Sequence, residues 1–230
     1  MPDPIVLGVI PARGGSRGVP RKNLAMVGGA SLVARAIRQA AGSALLTRTI
    51  VSTEDEEVAK AARQAGGEVP FLRPDHLARD ETPTLPVLLH ALEAVEAEDG
   101  RTYSHVVILQ PTSPLRASSD IDAAIEKAVT TGADSVVTVC RAPHPAKIKR
   151  IENDRLVPYA VDEKEGTRRQ DLGEPAWRRN GAVYVIRREV LLADRLFGDD
   201  VRPVVMPEER SIEIDEAFDL KLAQLFGGDS

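Results

Sequence analysis

The 230-residue sequence predicts an α/β fold: one Rossmann-like, mostly parallel sheet with helices on both faces. Three observations carry that reading. Short apolar runs of strand length alternate with longer stretches of helical apolar spacing, and this order fits parallel β-α-β units. Capping residues and glycines sit at the ends of the helical stretches. A composition of 43% hydrophobic and 28% charged residues is enough for one large core.

The elements follow in order. "PIVLGVI" (4–10) reads as a buried strand, and "SLVARAIRQAAGS" (31–43) as a helix capped by Ser31. "TRTIVS" (47–52) is a strand. "TEDEEVAKAARQAGG" (53–67) is a helix with acids in its first turn and glycine at its end. A helix over 83–100 precedes the strand at 105–110, and a Ser/Asp-capped helix over 118–132 precedes "SVVTVC" (135–140). The rhythm breaks at Arg141–Arg179, a stretch rich in Pro and charge; a segment of this length without helix signals reads as functional. Strands return at 181–188 and 203–207, and an amphipathic helix over 214–226 closes the chain. The whole reads as a single domain, 1–230, with 141–179 as an irregular insertion.

Net charge is −5, so a broad nucleic-acid face is not expected. The one cysteine, Cys140, lies in an apolar run; it builds neither disulfide framework nor zinc site and reads as core, which suits a cytoplasmic setting. No apolar run approaches the ~18 residues of a membrane span, and no signal-peptide pattern opens the chain. Against this acidic background, "IPARGGSRGVPRKN" (10–23) concentrates cations and glycines directly behind the first strand. In open parallel sheets that first loop is a common phosphate site. Glycines let backbone N–H groups approach phosphate oxygens, and Arg13, Arg17 and Lys22 add charge-assisted hydrogen bonds. The loop is neither a Walker sequence nor G-x-G-x-x-G. A solvated surface turn is the competing reading.

"IPARGGSRGVPRKNL" resembles the nucleotide loop of the CMP-sialic acid synthetases, the acylneuraminate cytidylyltransferases and their relatives for other nonulosonic acids. "LQPTSPLR" (109–116), "RRQDL…RRNGAVYV" (168–185) and "SIEIDEAFDL" (211–220) resemble that family's other signatures in the same order. Kdo cytidylyltransferases, with a different loop, are the poorer match. The resemblance implies a nucleotide-diphospho-sugar transferase type of fold. It also implies transfer of CMP from CTP to a hydroxyl of an acidic sugar, with loss of pyrophosphate, Mg²⁺ as cofactor, and a homodimer.

By this resemblance Ala12, Arg13, Gly14, Ser16, Arg17, Lys22 and Asn23 would hold triphosphate and ribose. Arg13 and Lys22 would be catalytic, and Arg17 replaces a common Lys. Arg21 reads as a neighbour pointing elsewhere. "FLRPDHLARDETPT" (71–84) resembles the cytosine-reading segment, which makes Arg73, Asp80, Thr82 and Thr84 nucleotide candidates. Thr82 also fits a helix cap with Pro83 in the first turn, and His76 fits a surface loop. Gln110, leaving a strand at the sheet's carboxyl edge, resembles a catalytic, sugar-contacting glutamine. Arg116 fits substrate or a salt bridge equally. Glu213 and Asp215, two apart on an extended piece, share a face and suit Mg²⁺, with Asp215 also catalytic. The family usually has Asp where Glu213 stands, and the extra methylene could alter that ligand's geometry. Glu216 and Asp219 fit caps of the last helix.

The 141–179 segment resembles the part that extends onto a twofold mate. Lys149 (or Lys147), Arg169 and Gln170 would contact phosphate and acid sugar there, with Asn180 and Tyr184 on the sugar side. Trp177 fits either dimer packing or stacking. His90, His105 and His144 have no metal spacing, and the general base stays open among a metal-held hydroxyl, a water and Asp215. The expected partners are CTP and a small acid, with no nucleic acid or membrane. The other readings are the same transfer to a phosphonate, a sugar nucleotidyltransferase using another nucleoside triphosphate, and a nucleotide-binding regulator without catalysis.

Overall fold

Strand β1 (Val6–Pro11) is apolar almost throughout because helices cover both faces of the sheet around it. In the computed structural model, which describes residues 4–162, 166–168 and 171–228, β1 pairs in parallel with β4 (Arg48–Ser52) and with β5 (His105–Ile108). With β6 (Ser135–Arg141), β9 (Trp177–Arg187) and β10 (Val201–Val205), they form a six-stranded sheet of order β10-β6-β9-β5-β1-β4. Within this sheet β9 alone runs against its neighbours, so the expected mostly parallel sheet is found with one reversed strand between β5 and β6.

Period-two alternation divides the core. Leu7, Val9, Val106, Ile108 and Ile186 face α3 (Thr84–Asp99) and α5 (Arg188–Leu192). Val6, Ile10, Val107, Leu109, Val183 and Val185 face α1 (Leu32–Ala41), α2 (Glu56–Gln64) and α4 (Ser118–Thr131). Each fully buried Leu, Ile or Val contributes about 1.5–3 kcal/mol relative to exposure. Cys140 is a buried free thiol among them.

Local signals set the helix ends. Ser31 Oγ accepts from the Ala34 N–H at 3.3 Å, as expected of a cap. The α2 cap is Asp55, accepting from Val58 N–H at 2.9 Å, so the helix starts later than the sequence pattern indicates and residues 53–55 stay extended beyond β4. Asp120 reaches back to the Ala117 N–H at 2.8 Å to start α4.

A third cluster joins the two ends of the chain. Val19, Val27, Leu32, Ile214 and Ala223 pack together. They come from the loop after β1, the small ribbon β2 (Met26–Val27)–β3 (Ala30–Ser31), the start of α1, the extended piece before α6 (Ala217–Phe226), and α6 itself. The C-terminal acids are thereby held beside the first loop.

The 141–179 stretch is more ordered than its composition suggests. β6 and β9 stay paired out to Arg141 and Trp177, so β9 begins well before Gly181. Between them β7 (Lys149–Glu152) and β8 (Arg155–Pro158) form an antiparallel hairpin, a sheet of its own, turned at Asn153 and Asp154 with φ of 49° and 62°. Ile151 and Leu156 on it are about three-quarters exposed. Among the described residues no helix is long and apolar enough to cross a membrane.

Candidate active site

The carboxyl ends of β1 and β5 open onto a cavity of about 570 Å³. The loop after β1 forms one wall, the 73–84 segment a second, and Gln110 with Asp215 close the far side. Most of the nucleotide candidates, from Arg13 to Thr84, therefore meet in one place, together with the distant Gln110 and Asp215.

The loop is held from within. Ser16 Oγ donates to the Val19 carbonyl and accepts from the Lys22 N–H at 3.2 Å, which closes a tight turn. The Asn23 amide, nearly buried, donates to the Arg13 carbonyl at 2.7 Å. Lys22 Nζ donates to the Ile214 carbonyl at 2.8 Å and lies 3.5 Å from the Asp215 carboxylate. Gly18 makes this approach possible, since a Cβ there would fall 2.0 Å from the Asp215 carbonyl oxygen.

Arg13 and Arg17 both engage Asp80, one on each carboxylate oxygen, at 2.7 and 2.8 Å. Asp80 is held below the ordinary carboxylate range, chiefly by the hydrogen bond from Arg17. It thus stands on the two guanidinium groups that a triphosphate would use. Arg21 points away, to Asp55 and Glu57, as the neighbour reading expects. Arg73 lines the cavity but is almost buried: Nε donates to Ser52 Oγ at 3.0 Å and Nη2 to the Ser52 carbonyl. Burial brings its pKa down to about 10. Thr82 and Thr84 also line the cavity. Thr82 is not the helix cap: it donates to the His76 carbonyl at 3.1 Å, and Pro83 takes the cap position of α3.

Gln110 faces the cavity from the end of β5. Its backbone is fixed by Arg116, which is buried outside the cavity lining and, among the described residues, has no salt-bridge partner. The Arg116 guanidinium is buried, donating to the carbonyls of Gln110 (3.3 Å) and Ala182 (2.5 Å) and to Gln39 Oε1 (2.9 Å). Burial brings it to about 10 as well.

On the acidic side, Glu213 lies against Gly181, where a Cβ would come within 2.4 Å of its carboxylate. Burial and the charge of Asp215 push the Glu213 carboxyl up, while Arg178 and Lys22 oppose this. Of the two expected metal ligands only Asp215 lines the cavity; Glu213 is turned to Gly181, and burial is the main cause of its rise. Among the described residues no group of three His, Cys, Asp or Glu side chains gathers as a metal cage. Two carboxylates near a phosphate site still suit a hard cation that keeps waters and takes phosphate oxygens. Asp219 accepts from the N–H groups of Asp215 (3.0 Å) and Glu216 (2.8 Å), so it caps α6 and orients the acidic piece.

Several candidates lie elsewhere. Ala12 is fully buried and gives its N–H to the Ser52 carbonyl at 3.0 Å, and the Gly14 N–H goes to Glu54 at 2.7 Å; neither residue lines the cavity. Asn180, expected at the sugar, is fully buried: it bonds Thr138 Oγ1 (2.7 Å) and Ser211 Oγ (2.8 Å), tying β9 to the piece that carries Glu213. Tyr184, half-buried with its ring edge on Phe197, is also outside the cavity lining. Lys149 starts β7, whereas Lys147 lines a second cavity of about 400 Å³. Arg169 and Gln170 lie outside the described residues. Trp177, half-exposed, takes the Arg141 guanidinium over its ring at 5.6 Å.

Comparison with known proteins fits this arrangement. Residues 7–201 match the family model described as "Cytidylyltransferase". The post-translational flagellin modification protein B of Campylobacter coli is 33% identical over 95% of this chain and 93% of its own length. The CMP-N,N'-diacetyllegionaminic acid synthase of Campylobacter jejuni is also 33% identical, with the same two coverages. A solved CMP-2-keto-3-deoxy-manno-octonic acid synthetase in complex with CTP superposes with a TM-score of 0.70 at 17% identity, over 96% of this chain and 97% of that one. At that identity the likeness speaks for the fold alone.

Proposed function

The chain belongs to the cytidylyltransferase family, and from that premise we propose that it transfers CMP from CTP to a hydroxyl of a nonulosonic acid. The supporting relatives include the legionaminic acid synthase above and a pseudaminic acid cytidylyltransferase of Campylobacter jejuni, 29% identical. The acceptor oxygen forms a bond to the α-phosphorus and gives up its proton, the bridge to the β-phosphate breaks, and pyrophosphate leaves. The observation that carries this reading is the meeting of Lys22 and Asp215, 3.5 Å apart, on the wall of the cavity that also holds Arg13 and Arg17.

The charge developing on phosphoryl oxygens sets what the side chains do. Arg13 and Arg17 receive the triphosphate as Asp80 gives way, and exposed ion pairs of this kind cost only about 0–1 kcal/mol each to exchange. Lys22, fixed on a backbone carbonyl, presents its charge where the α–β bridge breaks. Glu213 and Asp215 would hold Mg²⁺, which supplies Lewis-acid charge to phosphoryl oxygens when bound. Arg73, Thr82 and Thr84 face the side where a cytosine would lie, and Gln110 the side of the acceptor. The hairpin, with its exposed Ile151 and Leu156, suits pairing with a second copy, whose matching segment would bring cations to the acceptor. A cytoplasmic setting suits use of CTP.

Pyrophosphate release from CTP and Mg²⁺ over a panel of legionaminic, pseudaminic, N-acetylneuraminic and Kdo acceptors and a phosphonic acid tests this. Release with a nine-carbon acid, and not with UTP, is the expected result. A panel that releases nothing, or release only with the phosphonic acid, overturns it.

A further inference from the structure

We propose that Glu54 is a positioning residue for the nucleotide: fixed at the end of β4, it sets the path of the phosphate loop at Gly14 and supplies the counter-charge for the guanidinium of Arg73. The inference rests on the CTP reading of the cavity and names what holds that site in shape. Glu54 Oε1 accepts from the Gly14 N–H at 2.7 Å. Its other oxygen, Oε2, is buried with no hydrogen-bond partner. An unpartnered buried carboxylate oxygen is costly, so a nearby opposite charge must compensate it.

Arg73, a nearly buried cation, interacts with Glu54 as a charge, with no salt bridge or hydrogen bond between the two. Its guanidinium rests on neutral groups, Ser52 Oγ and the Ser52 carbonyl, and its own N–H donates to the Thr53 carbonyl at 2.8 Å. Glu54 favours its charged form while Arg13 opposes it. The geometric hold of Glu54 is on the Gly14 N–H, and its negative charge offsets that of Arg13 at the buried Arg73.

The flanking residues complete a bracket. Ser52 accepts the Ala12 N–H, so β4 grips the loop two residues before Gly14. Asp55 lies against Gly14, where a Cβ would fall 2.2 Å from its carboxylate, and it also takes Arg21. Four consecutive residues therefore fix the first loop and the buried arginine in one frame before any ligand arrives. Pre-organisation of this kind lowers the ordering cost of binding. It also explains why the Gly14 amide is turned to an acid and not to the cavity.

Calorimetric titration of CTP with Mg²⁺ into the wild type, Glu54→Gln and Glu54→Ala, with thermal melts of each, tests the assignment. Glu54→Ala should weaken CTP about tenfold or more, a tenfold loss being about 1.4 kcal/mol. Glu54→Gln keeps an acceptor for Gly14 but no charge for Arg73, and should fall between the two. In turnover, the KM for CTP should rise while the KM for the acceptor stays put. A wild type that binds no CTP sinks the reading of the cavity and this inference with it. A wild type that binds, with both variants within twofold of it, sinks the inference alone. An affinity loss in both variants that only tracks a fall in Tm would reduce Glu54 to a structural residue.

Discussion

The two halves of the cavity are built differently. On the nucleotide side, Arg13, Ser16, Arg17, Lys22, Asn23 and Arg73 come together within one chain, braced by backbone carbonyls and internal acids. On the acceptor side, of the described candidates only Gln110 lines the space, while Asn180 is fully buried, Tyr184 turns to Phe197 and Lys149 sits on the hairpin. Among the described residues, then, the nucleotide pocket is gathered far more fully than the acceptor pocket, and the acceptor candidates Arg169 and Gln170 lie outside that set. Local loop closure and strand ends build the first. On the proposed reading, the hairpin of a second copy would add groups to the second.

The largest test of the contrast is Lys22→Ala. Its ammonium is among the better-buried cations of the loop and has no substitute within reach of the Ile214 carbonyl and Asp215. Removing a fixed charge aimed at a transition state costs about 10²–10³ in rate. The expected result is that loss in kcat with a folded protein by circular dichroism; a Lys22→Ala variant at wild-type speed would break the nucleotide half of the comparison.

Next in size is the hairpin. Ile151→Asp with Leu156→Asp alters two side chains that make no core contact, so the fold should stand. Light scattering should show half the mass, and the KM for the acceptor should rise about tenfold, a change of about 1.4 kcal/mol, with CTP binding untouched. If CTP affinity falls equally, the two halves are not separate.

How much of this the sequence reveals differs between the halves for the same reason. The alternation of strands and helices, the Ser31 cap and the phosphate loop are written in local patterns: apolar runs, a polar residue before a helical period, glycines among cations. Asn180 misleads because nothing local tells a buried amide bonded to Thr138 and Ser211 from one turned to a sugar. Arg116 is hidden likewise, since its acceptors are the carbonyls of residues 110 and 182. Glu54 carries a weak signal in hindsight, standing directly past the carboxyl end of a parallel strand, where such sheets place their ligands. The hairpin at 149–158 is missed because its strands are short, charged and unsupported by a core.

A smaller effect comes from Asp80→Asn, and its sign matters more than its size. Asp80 neutralises the two guanidinium groups that the triphosphate needs. If it is a resting partner that phosphate displaces, its removal should tighten CTP by roughly fivefold at low salt, and the gain should shrink as salt rises. Weaker binding would instead place the carboxylate among the groups that touch CTP.

The smallest prediction is Glu213→Gln, and it separates stability from function at one residue. Folding raises the proton affinity of Glu213, through burial first and Asp215 second. A carboxyl raised on folding penalises the fold while it is charged; the penalty is full at neutral pH, fades as pH falls through the raised value, and is gone below the unfolded one. Glu213→Gln should therefore melt a degree or two higher than wild type at neutral pH without ligand, at the few degrees per kcal/mol usual for this size, and the difference should vanish in mild acid. With Mg²⁺ and CTP the order should reverse, because ligand stabilises by mass action only the protein that holds it. Melts at two pH values, with and without Mg²⁺ and CTP, read all four corners. A variant less stable than wild type without ligand, or one that gains as much from Mg²⁺ and CTP, would remove Glu213 from the cation site and leave Asp215 there alone.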